Sequence, residues 1–264
     1  DDFINTTATP TGDFTGFEGG LEASGAWLVQ TPAPEKVTDL PMSGKVEDFE
    51  TEDGVPEATV ELYFADAIGG VPDATFTSDS SGLFTGQTGR SCTPLAYKTA
   101  TDPALGDTKN TFELHQVSEF GTSIDESFNS VSSATYALIP SLLGISIDPE
   151  KGTAAGTVYD VNGDPVQGAQ VIVRDADDKI PASLVVKYFV EDFPNRDQPE
   201  TSEDGLWVAI NIPPGDWRVD AYVFDGSGYI QVATSGITVF GDSINVANLW
   251  TGYDSVHYPD SCLP

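Results

Sequence analysis

The stretch Ala155-Gly156-Thr157-Val158-Tyr159-Asp160, then Gly163-Asp164-Pro165-Val166-Gln167-Gly168-Ala169, then Gln170-Val171-Ile172-Val173, decides the fold. It reads as a strand, a Gly/Pro turn and a second strand with alternating apolar residues, the sequence pattern of a β-hairpin. The pattern recurs nearer the start of the chain. There Ser43-Gly44-Lys45-Val46-Glu47-Asp48 leads to Gly54-Val55-Pro56-Glu57-Ala58 and the strand Thr59-Val60-Glu61-Leu62-Tyr63. A hairpin module used twice points to a surface or structural role before chemistry.

Each copy continues with strands. Ala74 to Thr85 is a pair of short alternating stretches across a Ser-Asp-Gly turn, and Thr201 to Ile210 repeats that turn and strand. Leu95–Lys98, Thr111–His115, Val185–Val190, the long run after Pro213-Pro214-Gly215, Ile230–Ala233, Ile237–Phe240 and Ile244–Leu249 supply the others. Strands at this spacing predict a sandwich. At 264 residues with 39% hydrophobic and 10% aromatic side chains, the chain can build two cores. The plentiful Thr, Val, Gly, Pro and Asp favour strands joined by tight turns.

The fold class expected is therefore all-β: two tandem Greek-key β-sandwiches with a short helix between them and an extended N-terminal arm. The expected boundaries are an arm over 1–40, a first module over 41–122, a helical connector over 123–151, a second module over 152–253 and a tail over 254–264. The connector reading rests on Ile124, Phe128, Val131, Tyr136 and Ile139, which approximate helical spacing. Pro140 should end or kink that helix, and Gly144 should cap any continuation of it. Its expected role is to plug the open end of a sandwich. The arm, rich in Thr, Pro and Gly, needs its own domain or a neighbouring subunit to hold it. Gly25–Gln30 is its candidate short strand.

Three blocks carry a family resemblance. They are Gly156-x-Val158 with Gly163-x-Pro165-Val166-x-Gly168-Ala169-x-Val171, then Thr201-x-x-Asp204-Gly205, then Pro214-Gly215-x-Trp217-x-Val219. Together they resemble the carboxypeptidase regulatory-like domain, a transthyretin-like Greek-key sandwich. The first module keeps two blocks, with Glu57-Ala58 in place of Gly168-Ala169, and lacks the Pro-Gly-aromatic block. The resemblance implies a fold and no chemistry. In that family the domains look like stalks, adhesive repeats, accessory modules of secreted enzymes and parts of surface lipoproteins. The two-module arrangement also looks like exported surface proteins of Gram-negative bacteria.

With 42 acidic against 11 basic residues the formal charge is −31. Such a surface repels nucleic-acid phosphates and anionic lipid, so neither is an expected partner. No apolar run is long enough for a transmembrane helix. A start at Asp1-Asp2-Phe3 is how a processed, exported protein would begin, with a lipid-modified cysteine just upstream as the alternative. The two cysteines, Cys92 and Cys262, are expected to pair. That bridge would staple the C-terminus to the first module and place the chain in an oxidising compartment, secreted or at the cell surface. Two free thiols are the competing reading.

Catalysis is not expected. The two histidines, His115 and His257, come without an HExxH pair, a G-x-S-x-G elbow or a phosphate-cradling loop. His115 reads as a structural strand residue and His257 as part of an exposed tail. Asp160-x-Asn162-x-Asp164 has EF-hand spacing, but Pro165 and Val171 stand where that loop needs Gly and Glu, so a turn explains it better. Asp175, Asp177 and Asp178 are the candidate calcium ligands, against a solvated turn. Tyr229 and Tyr253, in Gly-flanked loops, are the candidate glycan or peptide contacts. Trp207, Trp217, Tyr222 and Trp250 are expected in the core. Asn5-Thr6-Thr7 is a lone glycosylation sequon. The functional expectation is an exported filament or surface-layer subunit that self-associates by strand exchange through its arm. A surface lipoprotein that binds glycan or peptide is the alternative.

Overall fold

A computed structural model describes residues 10–12, 14, 27–101, 108–191 and 193–264. In chain order the strands are β1 (Asp39–Asp48), β2 (Thr59–Phe64), β3 (Ala74–Thr77), β4 (Leu83–Arg90), β5 (Pro94–Ala100), β6 (Asn110–Val117) and β7 (Ile124–Ser130). Helix α1 (Ser133–Leu143) follows. Then come β8 (Gly152–Tyr159), β9 (Ala169–Arg174), β10 (Val185–Val190), β11 (Phe193–Asn195), β12 (Leu206–Ile212) and β13 (Gly215–Phe224). The last are β14 (Tyr229–Val239), β15 (Ser243–Val246) and β16 (Leu249–Trp250). The chain is all-β, as its turn chemistry predicts.

The chain forms two compact units. The first comprises Gln30–Leu138 and Val256–Pro264; the second comprises Ile139–Ser255 with the described residues up to Val29. In the first unit β1 lies between antiparallel β4 and parallel β7, and β3-β2-β5-β6 form the facing sheet. Met42 and Val46 from β1, Phe84 from β4 and Ile124 and Phe128 from β7 pack against Val60, Leu62, Phe76, Leu95 and Tyr97. Burying each of these side chains contributes about 1.5–3 kcal/mol.

The second unit repeats this strand order. Its first strand β8 lies between antiparallel β12 and parallel β15, with β9-β13-β14 facing. One element differs in placement. β3 extends the facing sheet of the first unit, whereas β10 and β11 lie beside β12 in the other sheet. Along β12, Trp207 and Ala209 are fully buried, while Val208 and Ile210 pack on Phe189 and on Ile139, Leu143, Ile145 and Ile147. This strand is therefore buried on both faces, which explains its unbroken apolar run.

The repeated motif residues make matching contacts. Val46 N–H donates to Gly82 O at 2.7 Å and Val158 N–H to Gly205 O at 3.0 Å. The Ser78 hydroxyl donates to Val55 O at 2.7 Å and accepts from Ala58 N–H at 2.9 Å. Thr201 does the same with Val166 O at 2.6 Å and Ala169 N–H at 2.9 Å. Gly44 and Gly156 sit where the parallel last strand passes. A Cβ there would stand 1.7 Å from Glu126 O or 2.2 Å from Ala247 O.

Four sequence expectations are corrected. The two strands of each expected hairpin do not pair: β1 and β8 lie in one sheet of their unit while β2 and β9 lie in the facing one, and only single bridges, Glu47–Gly54 and Tyr159–Pro165, close the turns before the chain crosses over. Residues 124–130 form strand β7, paired in parallel with β1, and helix starts only at Ser133. The inward positions are Ile124, Glu126, Phe128 and Ser130; two polar residues among them hide the period of two. Pro140 lies inside α1 rather than ending it. Gly144 (φ 67°) does close the helix, with Ile145 N–H returning to Pro140 O at 3.1 Å. Ile230–Ala233 and Ile237–Phe240 are not separate strands but parts of β14, which runs the length of β13.

Candidate functional site

Cys92 and Cys262 form a disulfide, with their Cα atoms 5.3 Å apart. Cys92 occupies the β4–β5 turn in a left-handed conformation (φ 51°), and its N–H donates to Ser118 O at 2.9 Å. Both outer segments of the first unit meet there. Ala33 N–H donates to Cys262 O at 2.9 Å, Phe120 N–H to Ser261 Oγ at 3.2 Å and Tyr258 N–H to Gln30 Oε1 at 2.7 Å. Ser91 Oγ donates to Lys36 O at 2.7 Å. The tail is thus built into the unit. His257, expected in an exposed tail, is half-buried, and desolvation lowers its pKa.

His115 is a structural residue of strand β6. It stands at a β6 bulge with φ 60°, where Leu95 pairs with Gln116 and Tyr97 with Glu113. Asp66 pins it twice: Oδ1 accepts the His115 backbone N–H at 3.0 Å, and Oδ2 lies 2.9 Å from the ring Nδ1.

Each candidate calcium ligand has a partner within the chain. Asp175 Oδ1 accepts the N–H groups of Asp177 (2.9 Å) and Lys179 (2.8 Å), closing a turn. Asp177 lies 3.5 Å from the Lys179 ammonium, and Asp178 lies 2.7 Å from the Arg218 guanidinium. Among the described residues no group of three or more His, Cys, Asp or Glu is placed to hold a metal ion. Asp160 likewise closes a turn, accepting Asn162 and Asp164 N–H groups at 2.8 and 3.0 Å.

The two candidate tyrosines are less open than Gly-flanked loops suggest. Tyr253 is buried, and Tyr229 is half-buried at the start of β14, its hydroxyl accepting from Gln170 Nε2 at 3.1 Å. Trp207 and Tyr222 are core residues. Trp217 is half-buried, with Nε1 donating to Pro213 O at 2.8 Å, and Trp250 stacks on Tyr159 with ring centroids 4.8 Å apart.

Sequence reasoning missed the buried carboxyls. On β6, Glu113 points into the first unit, and its Oε1 accepts Asn129 N–H at 2.9 Å. On β7, Glu126 accepts from Ser118 Oγ at 3.3 Å. Burial pushes Glu113 up to about 8, against the Asn129 hydrogen bond and with help from the Glu126 charge. Burial likewise pushes Glu126 up to about 7. In the second unit Asp220, fully buried, accepts from Thr234 Oγ1 at 2.7 Å, Gln231 Nε2 at 2.8 Å and Arg218 Nε at 3.0 Å. Desolvation still raises its pKa, and Thr234 and Arg218 act in the opposite direction. In a chain with 42 carboxylates, no local pattern marks these three out.

Part of the N-terminal segment is held by its own chain. Thr11 N–H donates to Gln167 O at 3.1 Å, and Gln167 N–H reaches Thr11 Oγ1 at 3.3 Å. Leu28 N–H donates to Gly252 O at 2.8 Å, and Leu28 pairs in parallel with Tyr253. The 252–255 segment itself follows β14, through Gly252 N–H to Val232 O at 2.7 Å and Ser255 N–H to Thr234 O at 3.0 Å. Among the described residues the Leu28 bridge is the outermost of this sheet edge, with Leu28 48% and Val29 86% exposed. Gly25 and Ala26 of the candidate strand, and the sequon at Asn5, lie outside the described residues.

No family model and no curated protein matches the chain. The carboxypeptidase regulatory-like resemblance accordingly rests on its motif residues alone. Among solved structures, the chain is similar to the Bacillus anthracis TIE protein at 13% identity and a TM-score of 0.28, over 81% of this chain and 35% of that one. It therefore spans about a third of that protein's length. It is also similar to shaft pilin spaA from Lactobacillus rhamnosus GG, at 9% identity and TM-score 0.25, over 81% of this chain and 98% of that one. BcpA, the major pilin subunit of Bacillus cereus, is matched at 9% identity and TM-score 0.26, over 81% and 100%.

Proposed function

We propose that the chain is a non-enzymatic subunit of an extracellular filament or surface layer, assembled by strand exchange through its N-terminal segment. The observation that carries this reading is the Leu28–Gly252 main-chain bond at the outer edge of the second unit's sheet. An extended segment that adds to a sheet edge through backbone hydrogen bonds can add equally to the same edge of a second copy. The edge then gains a partner whichever chain supplies the strand. The Cys92–Cys262 disulfide favours an oxidising compartment, and the high negative charge favours a surface that avoids nucleic acid and anionic lipid.

The test is negative-stain electron microscopy of the full chain beside Leu28→Pro, with and without calcium. Proline removes the N–H that reaches Gly252. Regular fibres or sheets are expected from the native chain and only dispersed particles from the variant, with circular dichroism unchanged. Fibres from Leu28→Pro would exclude the arm as the exchanged strand. Dispersed native protein in both conditions would exclude the assembly.

A further inference from the structure

β7 is bonded to β1 along one edge only. On its other edge side chains meet the Asn129 backbone. Glu113 Oε1 accepts Asn129 N–H at 2.9 Å, and Thr99 Oγ1 donates to Asn129 O at 3.1 Å. One turn of the pleat away, Ser118 Oγ reaches Glu126 Oε2 at 3.3 Å. Beneath them the Tyr97 and Phe128 rings meet edge to face with centroids 4.4 Å apart. The side of the sandwich between β6 and β7 is thus closed by two carboxyl groups from facing strands.

We propose that Glu113 and Glu126 form a proton-held latch that shuts this side of the first unit and loosens it as the surroundings become alkaline. Glu113 comes from β6 and feels the Glu126 charge, and Glu126 comes from β7 beside Asp125. The hydrogen bonds from Asn129 to Glu113, and from Ser118 and the Tyr97 hydroxyl of β5 to Glu126, act the other way. Asp66, between β2 and β3, acts on Tyr97 and is itself bound to His115. A protonated carboxyl can share this low-dielectric space with its neighbour; two carboxylates repel across it. Both acids are raised above their ordinary value of 4.5, Glu113 to about 8 and Glu126 to about 7. The folded state therefore holds protons that the unfolded chain has released, so stability falls as pH rises through that range.

Composition makes the effect readable. Both cysteines are in the disulfide, so neither ionises as a thiol.

The experiment follows thermal unfolding and the exchange of the Asn129 amide in the intact chain from pH 6 to 9. Native protein is compared with Glu113→Gln/Glu126→Gln, whose amides stand in for protonated acids. The native midpoint is expected to fall by about 5 °C or more. Asn129 exchange, corrected for intrinsic rate, should rise about tenfold, equivalent to one pKa unit of linkage. Both slopes should flatten in the double variant. If that variant fails to fold, Glu113→Gln alone, which keeps an acceptor for Asn129, should retain only the lower-pH part of the slope. A native midpoint that does not move, or a variant slope equal to the native one, would overturn the latch.

Discussion

The two units share a strand order and the hydrogen bonds around the turn where the chain first crosses between sheets, yet close a later equivalent turn by different means. Between β12 and β13 the second unit uses Pro213-Pro214-Gly215, and the Trp217 indole returns to Pro213 O at 2.8 Å. Between β4 and β5 the first unit has Cys92, covalently tied to a segment that arrives after the whole second unit has been threaded. One solution is local and available as soon as the turn forms. The other needs residues 170 positions apart. They treat buried charge differently too. Asp220 has guanidinium, hydroxyl and amide partners. Glu113 has an amide donor and an acidic neighbour. A common sandwich topology therefore fixes neither the staple nor the ionisation state of the interior.

The largest effect that can test this comparison is loss of the disulfide. Cys92→Ala/Cys262→Ala should destabilise the first unit by up to about 5 kcal/mol in the chain-entropy model, and by less while the second unit stays folded within the loop. Hydrogen exchange should then speed up in β4, β5 and the tail while β8, β12 and β13 keep their protection. Equal loss in both units would mean that they unfold together.

Next in size is Asp220→Ala. It removes the acceptor of Thr234, Gln231 and Arg218 in a fully buried site, and should cost about 3 kcal/mol by chemical denaturation. A change under about 1 kcal/mol would show that the network merely tolerates the charge.

Smallest, and the direct test of equivalence, is the pair Ser78→Ala and Thr201→Val. Each leaves one carbonyl and one N–H without its hydroxyl partner, at about 2 kcal/mol apiece. Similar values would establish the hydroxyl as a shared strut. A large effect at Thr201 with none at Ser78 would mean that the first unit no longer depends on it.

The turns and most strands were legible because their signals are local, whereas the crossing of β2 and β9 into the facing sheet was not. Gly205 needs a positive φ, and Asp160 binds backbone two and four residues on; both are decided within a short span of chain. β7 was not legible, because Glu126 and Ser130 face inward and spoil its alternation. The reason lies in Ser118, Glu113 and Tyr97, which sit on other elements. The cysteine pair was readable by elimination, since the chain has only two, whereas the hydrogen bonds that build the tail into the first unit were not.

By itself, then, the sequence determined the all-β class and the Gly and Asp turns that join its strands. Each of these follows from the conformational limits of residues near one another. Tertiary structure alone decided which carboxyls are buried, which of them have a counter-charge, and where β3 and β10 attach. Those outcomes depend on strand register and on which face meets which. A residue's own type constrains them weakly when 42 carboxylates compete for a few interior positions.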